Sequence, residues 1–194
     1  MSPVAESESK DVIELLLEQH QQVRDLFSRL REAQGAETRT DLFRDLVRLL
    51  AVHETAEEIV VHPMARSTIE SGEQVVQERL EEESSAKQVL SQLYDMGVEH
   101  PEFAGTLNSL AEDVTEHADS EEQREFAQLR QDLPADRLRE LASAVRAAES
   151  AAPTRPHPAA GESAAGNMLA GPPVGIFDRV RDAVRDWNRE HQHA

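Results

Sequence analysis

Cysteine is absent from this chain of 194 residues, and its absence removes several classes of protein at once. Without thiols the chain has no disulfides, no thiolate zinc sites, no iron–sulfur ligation and no cysteine nucleophile. Any metal ion that the chain binds must therefore be held by nitrogen and oxygen atoms.

Aromatic residues are scarce, at 4% of the sequence, and residues that favour strands are few. Leu, Ala, Glu, Gln and Arg dominate, and these residues favour helices. The length allows one ordinary domain with a proper core and an appendage. An all-α protein is therefore predicted.

Positive charge is also in short supply, because 20 Lys and Arg face 38 Asp and Glu, for a net charge of −18. Such a surface repels phosphate backbones and anionic lipid, so we expect no nucleic acid partner and no membrane partner, and it suits the capture of cations. No apolar run reaches the ~18 residues of a membrane span, and the acidic start "MSPVAESESK" lacks the features of an export signal. We expect a soluble, cytoplasmic protein with a disordered N-terminus over residues 1–10.

The apolar residues that are present recur every three or four positions. Asp11 and Glu14 form a capping-box pattern at the start of the first periodic segment, Thr40 is a candidate N-cap for the second, and Gly35 and Gly97 stand near helix ends. The pattern predicts four long helices and a shorter fifth one, at about residues 11–33, 41–66, 73–96, 102–131 and 134–149. Short connections favour an up-down-up-down four-helix bundle over residues 11–149.

The composition changes after this bundle. Residues 150–175 are rich in Pro, Ala and Gly, which predicts a flexible linker. Residues 176–190 place apolar residues on one helical face, which predicts a small amphipathic helix. That helix can dock on the bundle or on a second copy of the chain, or it can recruit a protein partner.

Polar residues interrupt the apolar seams of the four long helices. Residues four positions apart lie on one face of a helix, so each of two helices carries a paired imidazole and carboxylate in its seam. The interruptions, which should converge in the bundle, are His20, His53, Glu57, Glu83, His117 and Glu121. Buried ionised groups without partners cost several kcal/mol each, and a pair of cations would stabilise them. Imidazole with carboxylate suits iron or manganese, with zinc possible.

Ordinary structural explanations exist for several of these residues. A lone buried histidine such as His20 is more often hydrogen-bonded in a core than bound to metal, and Glu83 stands in "LEEESSAK", where a solvated charged face is usual. Glu54 flanks the seam and is a possible further ligand. His62 is half a turn out of phase with His53, which predicts a position either beside the ligands, without binding metal itself, or at the surface. Glu58 is expected to be solvated. Residues expected to have no role in the site are His100, His157, His191 and His193.

The motifs "EQHQQV", "VHETAEEIVVHP" and "TEHADSEE" resemble the hemerythrin-like, HHE cation-binding domain family over about residues 10–150. The resemblance implies a four-helix bundle around two iron ions, with Glu57 and Glu121 bridging. It implies as further ligands His20, His53 and His117. Glu83 stands where the family has a histidine, and His62 where it often has a tyrosine.

The resemblance leaves several functions open, because the family includes oxygen carriers, oxygen and iron sensors, nitric oxide binders and proteins that decompose hydrogen peroxide. Replacing a histidine ligand by Glu83 should stabilise ferric iron, so we expect a di-iron protein that handles hydrogen peroxide, nitric oxide or oxygen rather than a carrier. Whether it is an enzyme stays open. The alternatives are a sensing module that signals through residues 176–190, and a metal-free structural bundle.

Overall fold

A computed structural model describes residues 10–151, and this part of the chain is helical, without strands. Two wide π turns, Glu57–Val61 and Glu121–Glu125, each continue one helix into the next. The helices are α1 (Val12–Glu32), α2 (Ala36–Ala56), α3 (His62–Thr68), α4 (Gly72–Met96), α5 (Phe103–Ser120), α6 (Phe126–Asp132) and α7 (Ala135–Ala151). Within residues 10–151, no helix is long and apolar enough to cross a membrane.

The helices form a bundle of four rods. Helix α1 is one rod, α2 continues into α3 as the second, α4 is the third, and α5 continues into α6 as the fourth. Neighbours along the chain pack side by side, α1 also contacts α5, and α7 packs across α1 and α2. The predicted all-α bundle with a shorter fifth helix is confirmed.

The first helix begins where its capping box predicted. The backbone N–H of Glu14 donates to Asp11 Oδ1 at 2.9 Å, and the N–H of Asp11 donates to Glu14 Oε2 at 3.0 Å. At the other end of the bundle, Gly97 ends α4 with a φ of 74° and donates its N–H to Leu93. The φ is positive, and glycine adopts it without strain.

The predicted start of the second helix was wrong. Helix α2 begins at Ala36 rather than after Thr40, with Gly35 as its N-cap at a φ of 84°. Thr40 lies inside the helix, where its hydroxyl donates to the carbonyl of Ala36 at 2.8 Å. A threonine hydroxyl can bond either a cap N–H or the carbonyl one turn back, and the short connection leaves only the second choice.

The predicted segments outside the bundle are barely covered. Of the N-terminal stretch 1–10 only residue 10 is described, and the amphipathic segment 176–190 and most of the linker 150–175 lie outside the described residues. Residues 150 and 151 belong to α7, and the linker stays a prediction.

A layer of buried polar side chains divides the apolar core in two. One apolar cluster surrounds Leu16, Val60 and Phe126, and the other surrounds Phe27, Leu46 and Phe103. The polar layer between them contains Gln19, His20, His53, Glu54, Glu57, His62, Arg79, Glu83, Glu121 and Glu125.

The π turns change which residues face this layer. The N–H of His62 donates to the carbonyl of Glu57, five residues earlier. One extra residue in a turn rotates everything after it by about 100° relative to a straight α-helix. The turn is complete just before Pro63, which has no N–H to continue the α-helical pattern.

Candidate metal centre

The residues predicted to converge do meet within the polar layer. The ligand atoms of His20, His53, Glu57 and Glu121 lie within 4.8 Å of one another, and so do those of Glu57, Glu83 and His117. All are buried except His117, whose side chain is 13% exposed. The structure thus brings together all six predicted ligands in two groups, and their binding of metal stays a prediction.

Two carboxylates connect these groups. Glu57 belongs to both. Glu121 Oε2 lies 3.4 Å from Nε2 of His20 and 3.5 Å from Nε2 of His117. Both carboxylates therefore lie between the two sets of histidines, and bridging between two ions stays the role predicted for them.

The three histidines of the groups are all held from outside by their Nδ1 atoms. Nδ1 of His20 contacts Glu122 Oε1 at 2.9 Å and Nδ1 of His53 contacts Gln19 Oε1 at 2.8 Å. Nδ1 of His117 contacts Glu82 Oε2 at 2.7 Å. Oxygen acceptors of this kind cannot donate, so each Nδ1 carries the proton.

The same contacts leave each Nε2 directed into the layer. A neutral imidazole that donates from Nδ1 has its lone pair on Nε2, which is the tautomer that binds metal. Nε2 of His20 and Nε2 of His53 lie only 3.0 Å apart. This arrangement suits two ligands of one cation.

Several carboxylate oxygens of the layer make no hydrogen bond to any described residue. Among the predicted ligands they are both oxygens of Glu57 and Oε2 of Glu83 and of Glu121, and both oxygens of Glu125 also lack hydrogen bonds. A buried carboxylate that lacks donors is costly, so the donor set as it stands fits a bound cation.

Burial and neighbouring charges shift the ionisation of these groups. Burial, with the nearby Glu121, raises the pKa of Glu57 well above its ordinary value. Burial, with the nearby His20, lowers the pKa of His53 to about 3, so His53 is neutral at pH 7 as a ligand must be. Burial alone would raise the pKa of Glu121, but the imidazoles of His20 and His117 lower it to about 2.

His62 is not at the surface, which corrects one of its two predicted positions. It is 3% exposed, and its Nε2 lies 2.8 Å from Glu83 Oε1. A straight α-helix from His53 would turn His62 away from the layer, whereas the π turn rotates it toward the layer. Pro63 was the signal, because a proline inside a helical pattern changes the hydrogen bonding around it.

Glu54 is buried beside the two ligand groups but belongs to neither. Its Oε2 lies 3.2 Å from Lys87 Nζ. Burial raises its pKa to about 7 in spite of the attraction of Lys87. Glu58, expected to be solvated, is half-buried and accepts a hydrogen bond from the same Lys87 at 2.9 Å.

Sequence reasoning missed the groups that support the site. Besides the three acceptors of the histidine Nδ1 atoms, these include a buried pair in which Arg79 Nε lies 3.1 Å from Glu125 Oε1. Arg79 precedes Glu83 by four residues and Glu125 follows Glu121 by four, so helical spacing from the predicted ligands could have found both. Of the residues expected to be spectators, His100 is exposed, and His157, His191 and His193 lie outside the described residues.

A cavity of about 370 Å³ adjoins the site, and His20, His53, Glu83 and His117 are among its lining residues. Apolar side chains contribute part of the wall, including Ala86. Other lining residues are exposed, so the cavity leads from solvent to the ligand groups. Its charged lining residues are Arg24, Glu54, Glu82, Glu83, Asp113 and Glu116.

Comparisons with known proteins agree with this geometry. The family model of the hemerythrin HHE cation binding domain matches residues 11–129. A curated protein from Nostoc sp. (strain PCC 7120 / SAG 25.82 / UTEX 2576), named DNA nickase, is 30% identical over 141 residues, which is 73% of this chain and 39% of the relative. The chain thus spans well under half the length of that protein. No solved structure matches the chain.

Proposed function

The chain belongs to the hemerythrin HHE cation-binding domain family, and from this premise we propose that its polar layer holds two iron ions that react with a small oxidant or diatomic ligand. Hydrogen peroxide, nitric oxide and oxygen are the ligands considered.

The observation that carries the proposal is the unmatched donor set of the layer. Three imidazoles direct Nε2 inward, and four carboxylate oxygens of the predicted ligands receive no hydrogen bond from the described residues. Bound cations would satisfy these groups, and mixed imidazole and carboxylate ligands suit iron or manganese better than softer metals. Iron is preferred because reaction with hydrogen peroxide, nitric oxide or oxygen requires redox chemistry, which bound iron supplies.

The predicted ligands would form two metal positions. His20 and His53 would hold one ion, and His117 with Glu83 the other, while Glu57 and Glu121 would join them. The second position has one imidazole fewer and one carboxylate more, so it favours a harder, more oxidised cation.

The cavity supports a small, uncharged ligand. Five of its charged lining residues are acidic and only Arg24 is basic, so an anion would be repelled as it enters. Hydrogen peroxide, nitric oxide and oxygen are all neutral at pH 7. Apolar wall residues such as Ala86 also suit ligands that carry no charge.

The test is to produce the full chain in iron-supplemented cells and to measure its metal content, its absorption spectrum and its reaction with peroxide and with nitric oxide. About two irons per chain and reaction with either compound are expected. Glu57→Ala is the control that should lack both. Iron-loaded protein that reacts with neither compound any faster than Glu57→Ala would refute the proposed reaction.

A second candidate function comes from the Nostoc relative, which is named a DNA nickase. Enzymes with two-metal sites include nucleases, so metal-dependent cleavage of DNA is chemically reasonable. The net charge of −18 opposes DNA binding, which is why this candidate comes second. Nicking of supercoiled plasmid by the metal-loaded chain, absent in Glu57→Ala, would support it, and intact plasmid would remove it.

A further inference from the structure

We propose that His62 is a positioning residue, which holds Glu83 in the orientation in which one of its oxygens can bind metal. The inference rests on the proposed metal pair and goes beyond it, since it assigns a role to a histidine outside the ligand groups. His62 is buried in the polar layer but belongs to neither ligand group.

The contact between the two side chains fixes the direction of the hydrogen bond. His62 Nε2 lies 2.8 Å from Glu83 Oε1, and both residues are 3% exposed. A carboxylate can only accept, so the proton is on His62 Nε2. His62 therefore uses for Glu83 the same nitrogen that the other three histidines leave free.

The two oxygens of Glu83 have different surroundings as a result. Oε1 accepts from His62, whereas Oε2 receives no hydrogen bond from the described residues. Glu83 also belongs to a ligand group with Glu57 and His117. Lys87 Nζ, one helical turn further on, is 3.7 Å from Oε2, too far for a hydrogen bond. One oxygen is thus anchored and the other is left for a cation.

A glutamate needs such an anchor more than an imidazole does. Its side chain has more rotatable bonds and loses more rotamer freedom when it is held in one conformation. A hydrogen bond made before metal arrives removes part of that cost from binding. Groups of this kind around metal ligands typically change the affinity by about 10- to 100-fold.

The wide turn explains how His62 reaches Glu83. In a straight α-helix, His62 would follow Glu57 by five residues and point about 140° away from it. The extra residue of the π turn reduces this angle to about 40°, so His62 lies one turn beyond Glu57 on nearly the same face. The π turn that starts at Glu57 therefore also sets the position of His62, the residue that orients Glu83.

The test uses Mn²⁺ as the probe and titrates it into the full, metal-free chain by calorimetry. Wild type should bind two ions. His62→Phe keeps a ring but has no donor, and it should bind one of the two ions about 10- to 100-fold more weakly. His62→Gln keeps an N–H donor and should recover part of the loss. His100→Gln, which removes an exposed histidine, should match wild type.

A double substitution separates positioning from a general loss of structure. Glu83→His places an imidazole at the ligand position and leaves no carboxylate to anchor, so adding His62→Phe to Glu83→His should weaken binding far less than adding it to wild type. The inference is wrong if His62→Phe binds both ions as wild type does. It is also wrong if His62→Phe weakens Mn²⁺ binding equally in wild type and in Glu83→His. Wild type that binds no metal would instead refute the proposed function. Should His62→Phe fail to fold, His62→Leu gives the same comparison.

Discussion

His20 and His53 present their Nε2 atoms to each other across 3.0 Å, although each imidazole already donates from Nδ1 to an outside acceptor. Two lone pairs at this distance repel unless a cation lies between them. The pair therefore has the geometry expected of two ligands of one ion, and it lies in the same group as Glu57 and Glu121.

Replacing a ligand that belongs to one group should therefore release one ion, and replacing a ligand that belongs to both groups should release both ions. Glu57→Gln should lose both ions, because Glu57 belongs to both ligand groups. His20→Gln should keep the ion at Glu83 and His117 and lose the other. Metal analysis of each purified variant gives the ratio of metal to protein, and equal losses in the two variants would contradict the division into two positions.

Removing metal should lower the thermal stability of the protein. A ligand present at a thousand times its Kd stabilises the folded state by about 4 kcal/mol, which corresponds to roughly 10 °C in Tm for a domain of this size. Differential scanning calorimetry with and without a chelator measures the difference. An unchanged Tm after complete removal of metal would favour a structural polar layer with no ion.

The stability of the metal-free protein should depend on pH through Glu54. Its pKa in the folded state is about 7, against 4.5 for an ordinary glutamate. As pH rises from 4.5 to 7 the unfolded chain releases this proton first, so the free energy of unfolding decreases, by at most about 3 kcal/mol. Below pH 4.5 the contribution is fully present, and above pH 7 it is lost.

Urea unfolding of metal-free wild type and Glu54→Gln at several pH values isolates this contribution. His53 titrates in the opposite sense, with a pKa lowered to about 3, but it is common to both proteins and cancels in their difference. Glu58→Gln, which removes the other carboxylate bound to Lys87, is the control. If the difference between wild type and Glu54→Gln stays constant from pH 4.5 to 7, Glu54 is ionised in the folded protein.

Narrowing the cavity should slow the reaction with small ligands without removing metal. Ala86 lines the cavity, and Ala86→Leu places three more carbon atoms there. The rate with nitric oxide or peroxide, measured by stopped flow, should drop several-fold at unchanged metal content. Gln88→Leu, at an exposed position of the same helix, should react at the wild-type rate, and equal rates in both variants would show that ligands enter elsewhere.

The helices and the main ligand positions could be predicted because both follow from α-helical spacing. His53 and Glu57 lie four residues apart and the wide turn only starts at Glu57, and the same holds for His117 and Glu121, so regular geometry describes them well. His62 follows the wide turn, where the count of residues per turn changes, and the argument from spacing therefore placed it on the opposite face.

The partners of the ligands could not be predicted for a different reason. Gln19, Glu82 and Glu122 are polar residues among many others on helix surfaces, and their roles depend on which neighbouring helix they meet. Only the packed bundle shows that each holds the Nδ1 atom of a histidine. Such contacts join residues up to 102 positions apart, beyond the reach of any local pattern.

The charged layer that divides the apolar core is the part of the bundle where local opening should begin. Each apolar cluster can stay packed while the middle of the bundle opens, because the two clusters share no side chain. Amide hydrogens near the middle should then exchange fastest when metal is absent, while both ends remain protected. The metal-free protein would thus differ by local opening in the middle of the bundle rather than by global unfolding. A protease or a binding partner could recognise this local opening.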